Sequence, residues 1–187
     1  QMGRYEESYS HFDQARALTA KIDPQQVYIG ACALGMARTR AAQGQLAEAQ
    51  ALIEQAQARY KKGYGTDSVL NVEPAIVQGE IALKGERYQQ AAHHFQRAAS
   101  LLENHKRQRG LPLVYMYNGK GALAIARNQF EQATVQFESA LRILNEMKAT
   151  TYPVMAETWI GLATAYKYQK KRDGCEKYAR KAVDMCG

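Results

Sequence analysis

The sequence predicts an all-α fold, a right-handed α-solenoid of antiparallel helix hairpins. Three observations carry that expectation. The chain matches itself at a shift of 42 residues, each copy holds apolar stripes at helical spacing, and turn residues fall between the stripes.

The register is set by small side chains. Ala49, Ala91, Ala133 and Cys175 recur at a spacing of 42, with Ser8 one residue off it. Seven residues further on, about two helical turns, stands a second small series: Ala15, Ala56, Ala98, Ala140 and Ala182. Between them falls a bulky apolar position, Phe12, Ile53, Phe95 and Phe137, closing with Ala179. Three residues before the first series come Tyr5, Leu46, Tyr88 and Phe130, closing with Arg172. Offsets of 3, 7 and 10 place these residues on one helical face, with two narrow notches where a neighbouring backbone can approach.

From the second copy on, another helix precedes each of these. Its small position is Ala37, Gly79, Gly121 and Ala163, and four residues earlier stand Ala33, Ala75, Tyr117 and Trp159. A glycine inside a helix costs about 1 kcal/mol relative to alanine, so Gly79 and Gly121 point to close helix contact. Turns within the hairpins are expected at Gly44-Gln45, Gly85-Glu86-Arg87, Asn128-Gln129 and Lys170-Lys171-Arg172. Between hairpins they are expected near Asp23-Pro24, Lys62 to Ser68, Arg109 to Pro112 and Thr150 to Pro153. The chain thus reads as one repeat domain over 1–187 of about four and a half repeats: a second helix alone at 1–22, then 25–62, 69–105, 112–148 and 153–186. It opens on an unpaired second helix and stops without a polar cap, which suggests a piece of a longer protein.

These residues resemble the tetratricopeptide repeat family. Trp159-x-x-Leu162-Ala163-x-x-Tyr166, followed by Cys175 and Ala182, is similar to its W-x-x-L-G-x-x-Y pattern, and Ala49-x-x-x-Ile53, Ala91-x-x-x-Phe95 and Ala133-x-x-x-Phe137 to its A-x-x-x-F half. The period departs from the family's usual length of about 34 residues and is similar to that of kinesin light chains and MalT-like bacterial regulators. The resemblance implies a scaffold that binds protein, with a first-helix asparagine gripping ligand backbone; Asn118 lies near that position.

Composition narrows the function. With 46% apolar residues the chain can bury a core, and no run of about 18 uncharged apolar residues marks a membrane span. Three cysteines, Cys32, Cys175 and Cys186, form no obvious disulfide framework, in keeping with a reducing cytoplasm. No catalytic residues, metal ligands or cofactor are expected. His93 and His94 lack a ligand at the three- or four-residue spacing that shares a helix face, His11 and His105 have no catalytic partner, and Gly63-Tyr64-Gly65 lacks the lysine of a phosphate loop.

The net charge of +7 gathers at one end, where Lys167, Lys170, Lys171, Arg172, Lys177, Arg180 and Lys181 face only Asp173 and Glu176. A nucleic-acid partner would use this end, but no aromatic interleaving or recognition motif accompanies the charge, so a solvated face is the simpler account.

Stacked hairpins line a concave groove with their first helices. By the repeat offset, the residues expected to meet a protein or peptide partner there are Leu34, Arg38, Ile76, Glu80, Lys84, Tyr115, Asn118, Ile125, Ile160, Lys167 and Tyr168. Leu34, Ile76, Ile125 and Ile160 would accept apolar side chains, while Glu80 would offset Arg38 and argue against an acidic-tail clamp. The expected function is a protein-binding scaffold within a larger regulatory or assembly protein. The alternatives are self-association through the first helix, Tyr5 to Ala20, and, less favoured, nucleic-acid binding.

Overall fold

The computed structural model describes residues 2–21, 27–107, 109–148 and 153–186. The expected turns at Asp23-Pro24 and over 150–152 lie outside them. Among the described residues there are nine α-helices, one short 3-10 helix and no strand. The chain groups into two compact units, Gln1–Leu101 and Leu102–Gly187.

The first unit runs α1 (Met2–Thr19), α2 (Val27–Ala42), α3 (Leu46–Tyr64), the 3-10 turn Val69–Asn71, α4 (Val72–Lys84) and most of α5 (Tyr88–Asn104). Here α2 packs against α1, α3 and α4. The second unit holds α6 (Leu111–Ala126), α7 (Phe130–Glu146), α8 (Pro153–Tyr168) and α9 (Arg172–Cys186). In it α6 packs on α7, α7 on α8, α8 on α9, and α6 also meets α8.

The turn inside each hairpin has one geometry, repeated every 42 residues. Gly44, Glu86, Asn128 and Lys170 all take positive φ, at 82°, 57°, 59° and 59°. The next residue's amide then reaches back to the carbonyl five before it: Gln45 to Arg40 at 2.9 Å, Arg87 to Ala82 at 2.8 Å, Gln129 to Ala124 at 2.8 Å and Lys171 to Tyr166 at 3.0 Å. This is the Schellman closure of a helix C-terminus, and it reverses the chain into an antiparallel partner. Among the described residues prolines stand only in first turns, Pro74 in α4, Pro112 in α6 and Pro153 in α8, where a missing N–H costs no helical hydrogen bond.

Between hairpins of the first unit, Asn71 is buried and its amide donates to the carbonyls of Gly65 at 3.0 Å and Thr66 at 3.1 Å, tying the connection into α4.

The small-bulky-small stripe of the second helices forms the core. Ala49, Ile53 and Ala56 of α3, Ala91, Phe95 and Ala98 of α5, and Ala133, Phe137 and Ala140 of α7 are all buried. Each such side chain contributes on the order of 1.5–3 kcal/mol when large and apolar. The notches are literal: a Cβ on Gly79 would fall 2.5 Å from Phe95 Cε1, and one on Gly121 would fall 2.7 Å from Phe137 Cε2. Phe12 of α1 fills the notch at Gly35 in the same way, though its ring stays 37% exposed. In α9 the stripe weakens, as its polar residues foretell: Ala182 is buried, Cys175 half-buried and Ala179 exposed.

Candidate protein-interaction surface on the first helices

The first helix of each hairpin is α2, α4, α6 or α8, and the structure sorts the eleven expected groove residues into three groups.

Leu34 and Ile76 do not reach the surface. They are 1% and 0% exposed, so neither offers an apolar foothold to a ligand. The reason is that a helix's repeat offset sees only its own hairpin partner; α2 also packs against α1 and α4, which closes over Leu34. In the second unit the residue at this repeat position is Asn118 and then Ile160, and exposure rises along the series, Ile160 being 55% exposed.

Arg38, Glu80 and Lys84 form a charged face on the first unit. Arg38 Nη1 lies 2.7 Å from Glu73 Oε1, and its Nε 3.3 Å from Glu80 Oε2. Burial by itself would lower the Arg38 pKa; Glu80 and then Glu73 outweigh it and hold the guanidinium above its ordinary value. Lys84 Nζ donates to the Ala41 carbonyl at 3.4 Å. These four side chains satisfy α2 and α4 mutually, which leaves no cation dedicated to a ligand carboxylate.

The second unit's face differs. Tyr115 and Ile125 of α6 are half-buried and pack against the unit's two apolar clusters. Asn118 Nδ2 donates to Thr158 Oγ1 of α8 at 3.0 Å, and the Thr158 hydroxyl donates to the Val154 carbonyl at 2.9 Å. Ile160, Lys167 and Tyr168 of α8 are exposed, Tyr168 by 56%. Tyr168 lies flat on Phe130 at the start of α7, with ring centroids 4.7 Å apart and planes 9° from parallel. Gln169 Nε2 donates to the Phe130 carbonyl at 2.9 Å and to Thr134 Oγ1 at 2.7 Å, which pins the turn after α8 to α7.

Sequence reasoning missed how aromatics accompany the basic end. Lys171 Nζ stands 6.0 Å from the Tyr166 ring centroid, Lys177 Nζ 5.2 Å from that of Tyr178, and Lys181 Nζ 5.7 Å from that of Trp159. Tyr166 and Tyr178 stack at 5.9 Å, and burial followed by the hydrogen bond to Glu138 pushes the Tyr166 hydroxyl up to about 12. The signal lay in lysines placed near aromatics of the same hairpin, a pairing that period and charge counts do not register.

Among the described residues no cluster of three or more His, Cys, Asp or Glu side chains is placed to hold a metal ion, and no helix is long and apolar enough to cross a membrane. Cys32 is buried, and that burial raises its thiol pKa, away from the thiolate a reactive cysteine needs.

Hairpins of near-constant length, with rings of one helix seated in notches of the next, define a helical-repeat scaffold. The chain belongs to the tetratricopeptide repeat family, whose profile matches residues 1–62 and 30–104. Repeats of this family mediate protein–protein interaction. No curated protein matches the chain. Its fold is similar to that of BtubC (BKLC) from P. vanneervenii, with TM-score 0.69 and 16% identity over 98% of this chain and 74% of that one. It is also similar to a protein of Podosopora anserina named as a kinesin light chain with nearly identical TPR-like repeats: TM-score 0.61 and 18% identity, over 99% of this chain and 88% of the other.

Proposed function

We propose that the chain is a non-catalytic scaffold that holds a peptide or partner protein on the first-helix face, with α6 and α8 of the second unit as the principal contact. The observation that carries this reading is the exposed Ile160 on that face, alongside the half-buried Tyr115, Ala122 and Ile125 and the amide of Asn118. Apolar groups next to an amide suit a bound peptide, whose side chains need contact and whose backbone needs hydrogen bonds. The corresponding face of the first unit has its charges matched internally.

Peptides selected from a random display library against the protein test this reading. Ile160→Asn and Ala122→Gln weaken their binding by about tenfold, the loss of roughly one well-packed contact. Val135→Asp, at an exposed position on α7, leaves it unchanged. Binding that ignores the α6 and α8 substitutions and falls with Val135→Asp would place the interface elsewhere.

A further inference from the structure

The end of α8 and the turn after it hold a group of side chains that the core does not use and that the peptide contact proposed above does not include. Lys167, Lys170 and Lys171 are exposed, and none has an ion pair among the described residues. The nearest acids in sequence are Asp173, in the first turn of α9, and Glu176, which Arg172 takes at 2.7 Å. Lys170 also occupies the left-handed turn position that Gly44 and Asn128 fill elsewhere, so this cation is carried at a site where glycine or asparagine is the relaxed choice. Between Lys167 and Lys170 stands Tyr168. One face of its ring rests on Phe130, and the side chain remains more than half exposed; Gln169 fixes the turn beneath.

We propose that this corner docks an acidic, extended polypeptide segment, its carboxylates on the three ammonium groups and an apolar or aromatic side chain on the open surface of Tyr168. Three exposed cations without an ion pair among the described residues, within three residues of one supported ring in sequence, are complementary to a chain that alternates acid and apolar groups, even with Lys171 Nζ 6.0 Å from the Tyr166 ring. Single-stranded nucleic acid fits less well, because it needs successive free rings. The next aromatics, Tyr166 and Tyr178, are stacked on each other, and the Tyr166 hydroxyl is spent on Glu138. An anionic membrane surface calls for a larger basic cluster without a specific ring. The proposal rests on the protein-binding reading above and adds the chemistry of the partner.

The test is fluorescence anisotropy with the full chain and three labelled probes: a Glu-rich peptide with one central Phe, the same peptide with Gln for Glu, and an oligothymidine of equal charge. The Glu peptide binds most tightly and weakens with salt. Lys167→Glu/Lys170→Glu/Lys171→Glu weakens it by about tenfold or more, and Tyr168→Ser by a smaller factor, with circular dichroism unchanged. Val135→Asn, at an exposed position on α7, leaves this binding intact; selected peptides that ignore Ile160 while the Glu peptide needs the lysines would mark failure of the groove reading alone. Equal affinity for the Glu and Gln peptides, indifference to the lysine substitutions, or tighter binding of the oligothymidine would each overturn the proposal.

Discussion

Asn118 of α6 donates a hydrogen bond to Thr158 of α8 across 3.0 Å, so the side chain that the family resemblance offers to a ligand is anchored first to its own fold. Thr158 is fully buried, and its hydroxyl donates a hydrogen bond to the Val154 carbonyl. The pair positions the Asn118 amide and ties consecutive first helices together. Asn118→Ala should lower stability by about 1 kcal/mol in urea unfolding and Thr158→Val by somewhat more, because it also removes the bond to Val154; the double substitution should cost scarcely more than Thr158→Val alone, since the shared contact is already gone. Losses that add in full would show that the two side chains act separately.

Glu86 holds φ at 57° in the turn between α4 and α5, where Gly44 stands in the preceding hairpin. The left-handed conformation costs a non-glycine residue roughly 1–2 kcal/mol, partly returned by the lower chain entropy of the unfolded state. Glu86→Gly should therefore stabilise the chain by about 0.5–1 kcal/mol. Thermal or urea unfolding checks it, and a loss of stability would contradict the turn geometry.

His94 of α5 is half-buried, and its Nδ1 has no hydrogen-bond partner among the described residues. Burial, followed by His93, Arg97 and Arg87, holds its pKa below the ordinary 6.5. The unfolded chain therefore takes up a proton at higher pH than the folded one. The stability this group contributes is fully present above pH 6.5 and is lost as pH falls through the folded value. The equivalent position in the preceding repeat is Leu52, so His94→Leu should keep the fold and flatten the fall in urea midpoint on mild acidification. An unchanged pH slope in that variant would place the dependence elsewhere.

The repeat was legible because it is written in side-chain size. Ala91, Phe95 and Ala98 recur in type at a fixed period, and burial of such a stripe is local to one helix and its neighbours. The hairpin turns were legible for the same reason, although Glu86 and Lys170 conceal a geometry that Gly44 and Asn128 advertise. The surface was harder to read. Leu34 looks like a groove residue on its own helix, and only the packing of α2 against α1 and α4 hides it. The Arg38–Glu80 offset was visible as charges at matching levels, yet the shorter contact goes to Glu73. Asn118 and Thr158 are 40 residues apart and occur together in one pair of helices, so no periodic signal marks them.

The fold stands on rings seated in glycine notches, and Phe137 shows it most fully. Gly121 of its own hairpin lies against one part of the ring and Gly161 of the next hairpin against another; a methyl group on either would collide with it. A double-mutant cycle between Gly161 and Phe137, read by urea unfolding, tests this directly. Gly161→Ala should cost about 1–3 kcal/mol beside Phe137, outweighing the gain of about 1 kcal/mol in helix propensity, and should become neutral or stabilising in a Phe137→Leu background. A strictly additive cycle, with Gly161→Ala tolerated equally in both backgrounds, would mean that the hairpins are not held together by this interlock.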